Sequence, residues 1–297
     1  MRGNKYVLQL TESIKNAINE ELGIADEVTD ALETIKEGLK NSFKNEFEKP
    51  TRVDGITYRS GKFETNIFGE KLTVYWECYN YQNENLKKQH KLPATGYYIK
   101  KDGNESAKLI ISMQALRGKI NINKILETTR HEIHHFYEDV KKDFKPLKKI
   151  KLYKYAHALM NNFHYTDIRH MIGNIIYISF EHEQRAFYNG AYEFLSANID
   201  VAYNFNLKIQ ETQMFIHMEY LKECIEEIEN IGQENWEKNK FTKDISIHLK
   251  NKFNITYDKL LKMANKSLKN LAVGIGKAII KVKNDYNGEY YIAFDRS

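Results

Sequence analysis

Cysteine, proline and long apolar runs are all scarce in this sequence. The 297 residues include two cysteines, Cys78 and Cys224, far apart in the chain, and three prolines. A disulfide framework of the kind that stabilises small secreted domains is therefore not expected. No charged segment followed by an apolar run opens the chain, so we predict a reduced, cytoplasmic protein. Apolar stretches such as residues 172–180 are shorter than the roughly 20 residues that span a bilayer, and no membrane association is expected.

The charge of the chain is nearly balanced, with 45 basic and 40 acidic side chains and a formal net charge of +5. Lysine greatly outnumbers arginine, whereas proteins that read nucleic acids concentrate arginine for bidentate contacts. Nucleic acid is therefore not an expected partner. A single-strand binder that uses lysine and tyrosine is an alternative, and its affinity would fall steeply with salt.

Helical and β periodicities follow one another along the chain. Apolar residues three or four apart predict two amphipathic helices joined near Gly23, and β-branched and aromatic residues then predict an antiparallel sheet with its best strands at 72–79 and 108–113. After Gly118 the helical period returns, with breaks near Pro146, 161–167, Asn204 and Asn254. Asn287-Gly288 suggests a final turn and short strand. The result is an α+β fold in four segments: a helix pair at 1–50, the sheet at 51–120, a block of helices at 121–200 and a C-terminal helical region at 201–297.

One short segment carries a metal-binding pattern, His131-Glu132-x-x-His135. Residues four apart lie above one another on an α-helix, so both imidazoles can reach a single ion. Glu132 lies between them and could take a proton from a metal-bound water. The pattern predicts a zinc site in which Glu132 is the catalytic base.

The same helix has an apolar stripe that would hold it in the core. Its members recur three or four apart: Ile122, Leu126, Thr129, Ile133, Phe136 and Val140. The motif histidines then lie on the opposite side, and His134 is expected at the surface or against a partner. Asp139, one turn beyond His135, could orient an imidazole through a carboxylate to ring N–H bond, or it could be a solvated acid.

A catalytic zinc usually has three protein ligands and one open position, so a third ligand is required. Glu183 is the best candidate, because a helical projection places its carboxylate in line with apolar neighbours: Ile172, Ile176, Phe187, Gly190 and Phe194. Such a carboxylate is costly to bury unless a cation or several donors meet it. An ion pair with Lys or Arg is the alternative reading, and Glu181 and His182 are fallback ligands.

These segments resemble the gluzincin branch of zinc metallopeptidases over roughly residues 105–200. The similarity consists of His131-Glu132-Ile133-His134-His135 and of Glu183-Gln184-Arg185-Ala186, which is similar to the family's Glu-x-x-Ala helix. The resemblance implies a zincin-like fold, zinc on His131, His135 and Glu183, Glu132 as general base, and an edge strand that holds an extended peptide. Phe187 stands where several gluzincins carry an acidic residue.

The expected function is hydrolysis of peptide bonds by a zinc-dependent metallopeptidase acting on a protein or peptide substrate. Several side chains could stabilise the oxyanion, and the sequence leaves the choice among them open: His157, His164, Tyr165 and His170. The alternative is a zincin-like scaffold with little or no catalysis that serves as an interaction or structural protein. The 20 tyrosines would suit such a binding surface.

Overall fold

The computed structural model describes residues 26–45, 51–53, 55–89, 96–100, 105–141, 147–199 and 205–294. The chain divides into two compact units, residues 1–142 and 143–297. Both helices and strands are well represented, which confirms the α+β class. The first helix of the predicted N-terminal pair, and its junction near Gly23, lie outside the described residues.

In its described residues, the first unit contains a six-stranded sheet and three helices. The strands are β1 (Thr51–Val53), β2 (Ile56–Ile67), β3 (Glu70–Tyr81), β4 (Gly96–Ile99), β5 (Ala107–Leu116) and β6 (Lys119–Ile120), and the helices are α1 (Asp26–Asn45), α2 (Glu84–Gln89) and α3 (Ile122–Val140). The spatial order is β1-β2-β3-β5-β4, with β6 paired to β5. Both predicted best strands are confirmed, since they lie within β3 and β5.

The sheet is mixed, and the prediction of a purely antiparallel sheet is wrong. β3 and β5 pair in parallel, with Leu72 opposite Ala107 and Tyr81 opposite Leu116, whereas β4 pairs antiparallel with β5. Residues 82–106 separate β3 from β5 and contain α2 and β4. A connection of this length can return the chain to the start of the sheet, which a tight hairpin cannot do, so β5 runs in the same direction as β3.

Alternate residues of the two central strands form the core of the first unit. The buried side chains are Leu72, Val74, Trp76 and Cys78 on β3, and Leu109, Ile111, Met113 and Ala115 on β5. Helices α1 and α3 add apolar stripes to the same cluster, and α3 contacts β4 and β5. The Trp76 indole N–H donates to Ser42 Oγ at 2.7 Å, which satisfies the polar atom of this buried ring. The helix that carries the histidine motif is therefore packed on the sheet.

The second unit is helical in its described residues. Its helices are α4 (Leu147–Asn162), α5 (Ile168–Ile178), α6 (Glu181–Ser196), α7 (Phe205–Glu211), α8 (Gln213–Ile231), α9 (Gln233–Trp236), α10 (Lys243–His248), a π-helical turn (Leu249–Phe253) and α11 (Tyr257–Phe294). Helix α11 packs against α5, α6 and α8. Asp167 caps α5 by accepting a hydrogen bond from the Arg169 N–H, and Asn254 ends the π-helical turn in the left-handed conformation, with φ 55°.

The predicted turn and strand near the end of the chain are wrong. Helix α11 continues through Asn287-Gly288 to Phe294. An Asn-Gly pair favours a turn only locally, and a short strand requires another strand beside it. No strand is described in the second unit that could pair with these residues. Continuing the helix, by contrast, adds one backbone hydrogen bond for each further residue. The predicted helix breaks near Pro146 and Asn204 lie outside the described residues.

None of the helices in the described ranges combines the length and the apolar composition that crossing a membrane would require.

Candidate metal centre

Helix α3 presents the motif residues from a well-fixed position. The Asn121 side chain caps its start by accepting a hydrogen bond from the Lys124 N–H at 3.2 Å. Leu126, Ile133 and Phe136 are buried against the sheet, as the apolar stripe predicted. Ile122 is 64% exposed, so the buried part of the stripe begins one turn later than expected.

The motif histidines face each other on α3. Their Nε2 atoms are 3.2 Å apart, and the ring planes are nearly perpendicular at 79°. Two ligands at the usual zinc distance in a tetrahedral site lie about 3.4 Å apart. The two imidazole nitrogens thus have the separation that a shared zinc ion requires, and the helical spacing of the sequence accounts for it.

Glu132 lies beside strand β4. Its Oε2 accepts a hydrogen bond from the Tyr98 backbone N–H at 2.9 Å. Among the described strands, β4 is the last on its side of the sheet. The carboxylate between the two histidines is therefore held by the backbone of an edge strand.

Two neighbouring predictions on α3 are wrong. His134 is 1% exposed rather than at the surface, and its Nε2 lies 3.2 Å from Glu138 Oε1. Asp139 neither orients a motif imidazole nor is solvated: its side chain is 7% exposed, accepts a hydrogen bond from the Tyr98 hydroxyl at 2.8 Å and forms an ion pair with Lys100. A helical projection gives the direction of a side chain but does not show what covers it.

In the second unit, Glu183 is the buried carboxylate of α6. It is 0% exposed, its Oε1 accepts a hydrogen bond from the Tyr153 hydroxyl at 2.6 Å, and His182 Nε2 lies 3.3 Å from the same oxygen. Its apolar neighbours on the predicted stripe are buried, although the helix is interrupted at residues 179–180, so that Ile172 and Ile176 belong to α5. The fallback ligand Glu181 is exposed and pairs with Arg185.

The proposed ligands are two imidazoles of the first unit and one carboxylate of the second. The set of His131, His135 and Glu183 could hold a metal ion. Its donor set of two imidazole nitrogens and one carboxylate oxygen is typical of catalytic zinc, and such a set suits a borderline-soft ion better than Mg²⁺ or Ca²⁺, which prefer oxygen ligands.

Two tyrosines at the centre were not predicted from the sequence. Tyr98 contacts Glu132 and Tyr153 contacts Glu183. No spacing distinguishes them among 20 tyrosines, because each reaches its carboxylate from a different element of its own unit. Burial raises the pKa of the Tyr98 hydroxyl, and its hydrogen bond to Asp139 raises it further, so this hydroxyl stays a donor at neutral pH.

The four candidate oxyanion donors have different surroundings in the second unit. His164 contacts Thr166 at 2.9 Å, and His170 contacts the Tyr220 hydroxyl at 2.9 Å. Tyr165 is exposed. The His157 ring lies 4.6 Å from the Tyr153 ring, next to the side chain that reaches Glu183. Of these four residues, His157 is the one whose ring lies next to Tyr153, the hydrogen-bond partner of the proposed ligand Glu183.

Comparison of the chain with models of known protein families, with curated proteins and with solved structures gives no match. The residues of the site are therefore the basis for a proposed function.

Proposed function

We propose that this protein is a zinc-dependent metallopeptidase with a zincin-like active site. The observation that carries the proposal is the pair of motif imidazoles on α3, whose Nε2 atoms are 3.2 Å apart. We assign the buried carboxylate of Glu183 as their third partner in a metal site. Glu132 adds a second carboxylate between the two histidines. Three protein ligands would leave a fourth position open, which is the arrangement of catalytic rather than structural zinc.

Each residue of the centre has a defined role in the proposed reaction. Zinc held by the three ligands would supply the Lewis acidity that polarises a scissile carbonyl and favours ionisation of water near neutral pH. Glu132 takes the proton from the attacking water and delivers it to the leaving amine. Because the Tyr98 N–H engages Oε2, Oε1 is the oxygen that accepts this proton. Tyr153 orients the Glu183 carboxylate through its hydroxyl hydrogen bond.

A peptide is the substrate that the neighbourhood of Glu132 favours. Strand β4 lies at the edge of the sheet among the strands that the structure describes, and an extended peptide can add to such an edge through main-chain hydrogen bonds. The Tyr98 amide links this strand directly to Glu132. A chain paired with β4 would thus have its backbone carbonyls near the proposed base.

The decisive experiment is Glu132→Gln. We expect the variant to retain zinc, because Glu132 is not a ligand, and to lose hydrolysis of a peptide library by about 10²- to 10⁴-fold, the usual contribution of a general base. Glu105→Gln is the matched control, since Glu105 is an exposed carboxylate that pairs with Lys108. Hydrolysis that survives in Glu132→Gln would show that the mechanism is wrong. A wild-type protein that binds zinc and cleaves no peptide would instead favour the interaction or structural role.

A further inference from the structure

We propose that Tyr98, Asp139 and Lys100 form a clamp that fixes Glu132 in its working position, with Tyr98 and Asp139 as positioning residues. This inference rests on the proposed function for its catalytic consequence, whereas the clamp itself can be tested without catalysis. All of its members belong to the first unit.

The clamp holds Tyr98 of β4 through two polar groups, its backbone N–H and its side-chain hydroxyl. The Tyr98 backbone N–H donates to Glu132 Oε2 at 2.9 Å, and the Tyr98 hydroxyl donates to Asp139 Oδ2 at 2.8 Å. Lys100, two residues further along, forms an ion pair with the other oxygen of Asp139. Glu132 and Asp139 are seven residues apart on α3 and therefore lie on the same face, two turns from each other.

Close packing supports the same contact between β4 and α3. The Tyr98 ring centroid lies 5.5 Å from that of Phe136. A Cβ atom added to Gly96 would lie 2.6 Å from Thr128 Cγ2, so the strand lies against the helix at a distance that only glycine permits. Movement of β4 away from α3 would therefore break the two hydrogen bonds of Tyr98 and this packing together.

A short edge strand needs such support. β4 has four residues and pairs with β5 alone among the described strands, which leaves its position weakly determined by the sheet. A general base has to be held close to its productive geometry, and glutamate has several rotatable bonds. The Tyr98 amide can orient the Glu132 carboxylate only while β4 is itself held, and Asp139 provides that restraint through the Tyr98 side chain.

The first test is amide exchange at Tyr98 in zinc-free protein, with Tyr98→Phe, Asp139→Ala and Glu132→Ala compared with the wild type. We expect each variant to exchange about tenfold faster, as for the loss of one hydrogen bond that involves a charged group. Asp139→Asn keeps an oxygen acceptor for the Tyr98 hydroxyl and should restore much of the protection. Tyr97→Phe is the matched control, because Tyr97 is the exposed neighbour on the same strand. Exchange in Tyr98→Phe equal to that in Tyr97→Phe would overturn the clamp.

The second test measures peptide hydrolysis and zinc content of the same variants. Tyr98→Phe and Asp139→Ala should lower kcat about tenfold, with KM and zinc content close to those of the wild type, because the change affects the base rather than the ligands. A kcat unchanged from that of Tyr97→Phe would overturn the positioning role. If the wild-type protein cleaves no peptide, the proposed function fails, and the exchange measurement still decides the clamp.

Discussion

The buried carboxylate of Glu183 is the residue on which the proposed zinc centre depends most. A carboxylate that is 0% exposed needs hydrogen-bond donors or a cation around it, because its water shell has been removed. The Tyr153 hydroxyl and His182 Nε2 both lie at Oε1. The Tyr153 hydrogen bond should therefore fix the direction in which Glu183 offers its oxygens.

Tyr153→Phe removes that hydroxyl and keeps the ring. We expect zinc affinity to fall about 10- to 100-fold, the usual effect of removing a hydrogen bond to a metal ligand. Competition against a chelator of known affinity measures the change. Tyr165→Phe removes a hydroxyl from an exposed tyrosine of the same unit and should leave the affinity unchanged. Equal affinities in the two variants would show that Tyr153 does not support the ligand.

Burial should also make Cys224 chemically inert. Loss of solvation raises the pKa of its thiol to about 12, and burial likewise raises the pKa of Cys78. At pH 8 the reactive thiolate of Cys224 is then a fraction of about 10⁻⁴. We expect no alkylation of either cysteine by iodoacetamide in the folded protein over an hour, and modification of both in guanidinium. Rapid labelling without denaturant would contradict this assignment.

At the scale of elements, the packing of α4 on α5 depends on Gly173. A Cβ atom at this position would lie 2.8 Å from the Ala156 carbonyl oxygen and 2.8 Å from Leu159 Cβ. Neither neighbour is the flexible end of a long side chain, so Gly173→Ala forces the two helices apart. Tyr153, which contacts Glu183, lies on α4, so this helix pair also supports the site.

Gly173→Ala and Gly276→Ala should change stability in opposite directions. We expect Gly173→Ala to lower the free energy of unfolding by about 1–3 kcal/mol through overpacking. A methyl group added to Gly276 on α11 would meet open space among the described residues, and alanine there should raise the free energy by about 0.5–1 kcal/mol through helix propensity. Urea denaturation of the wild type and the two variants measures both changes. A stabilising Gly173→Ala would show that α4 and α5 are less closely packed.

The periodicities in the sequence predicted individual elements better than their pairing. The β-branched and aromatic residues located β3 and β5, and the spacing of three and four located the buried stripe of α3. The parallel pairing of β3 with β5 was missed, because a strand has the same alternation whichever way its neighbour runs. The continuation of α11 through Asn287-Gly288 was missed for a related reason. The preference of an Asn-Gly pair for a turn is local, whereas a strand forms only where the rest of the fold supplies a partner strand.

For the whole molecule, zinc should act as a stabilising ligand of the native state. Binding to the folded chain alone adds about 2.7 kcal/mol when free zinc is about one hundred times the dissociation constant. We expect zinc to raise the Tm of the wild type, and to have little effect on His131→Ala or Glu183→Ala. His164→Ala is the control, because His164 contacts Thr166 and is not a proposed ligand. A zinc response that persists in Glu183→Ala would remove this residue from the ligand set.

The sequence alone determined the α+β class, the helix of His131 and His135, and the buried side of the helix that carries Glu183, because helical spacing and apolar periodicity are local properties of the chain. The tertiary structure decided which side chains surround these residues: Tyr98 at Glu132, Tyr153 at Glu183 and Lys100 at Asp139. It also decided that His134 is buried. These contacts join residues far apart in the sequence, and packing of complete elements, rather than any local preference, brings them together.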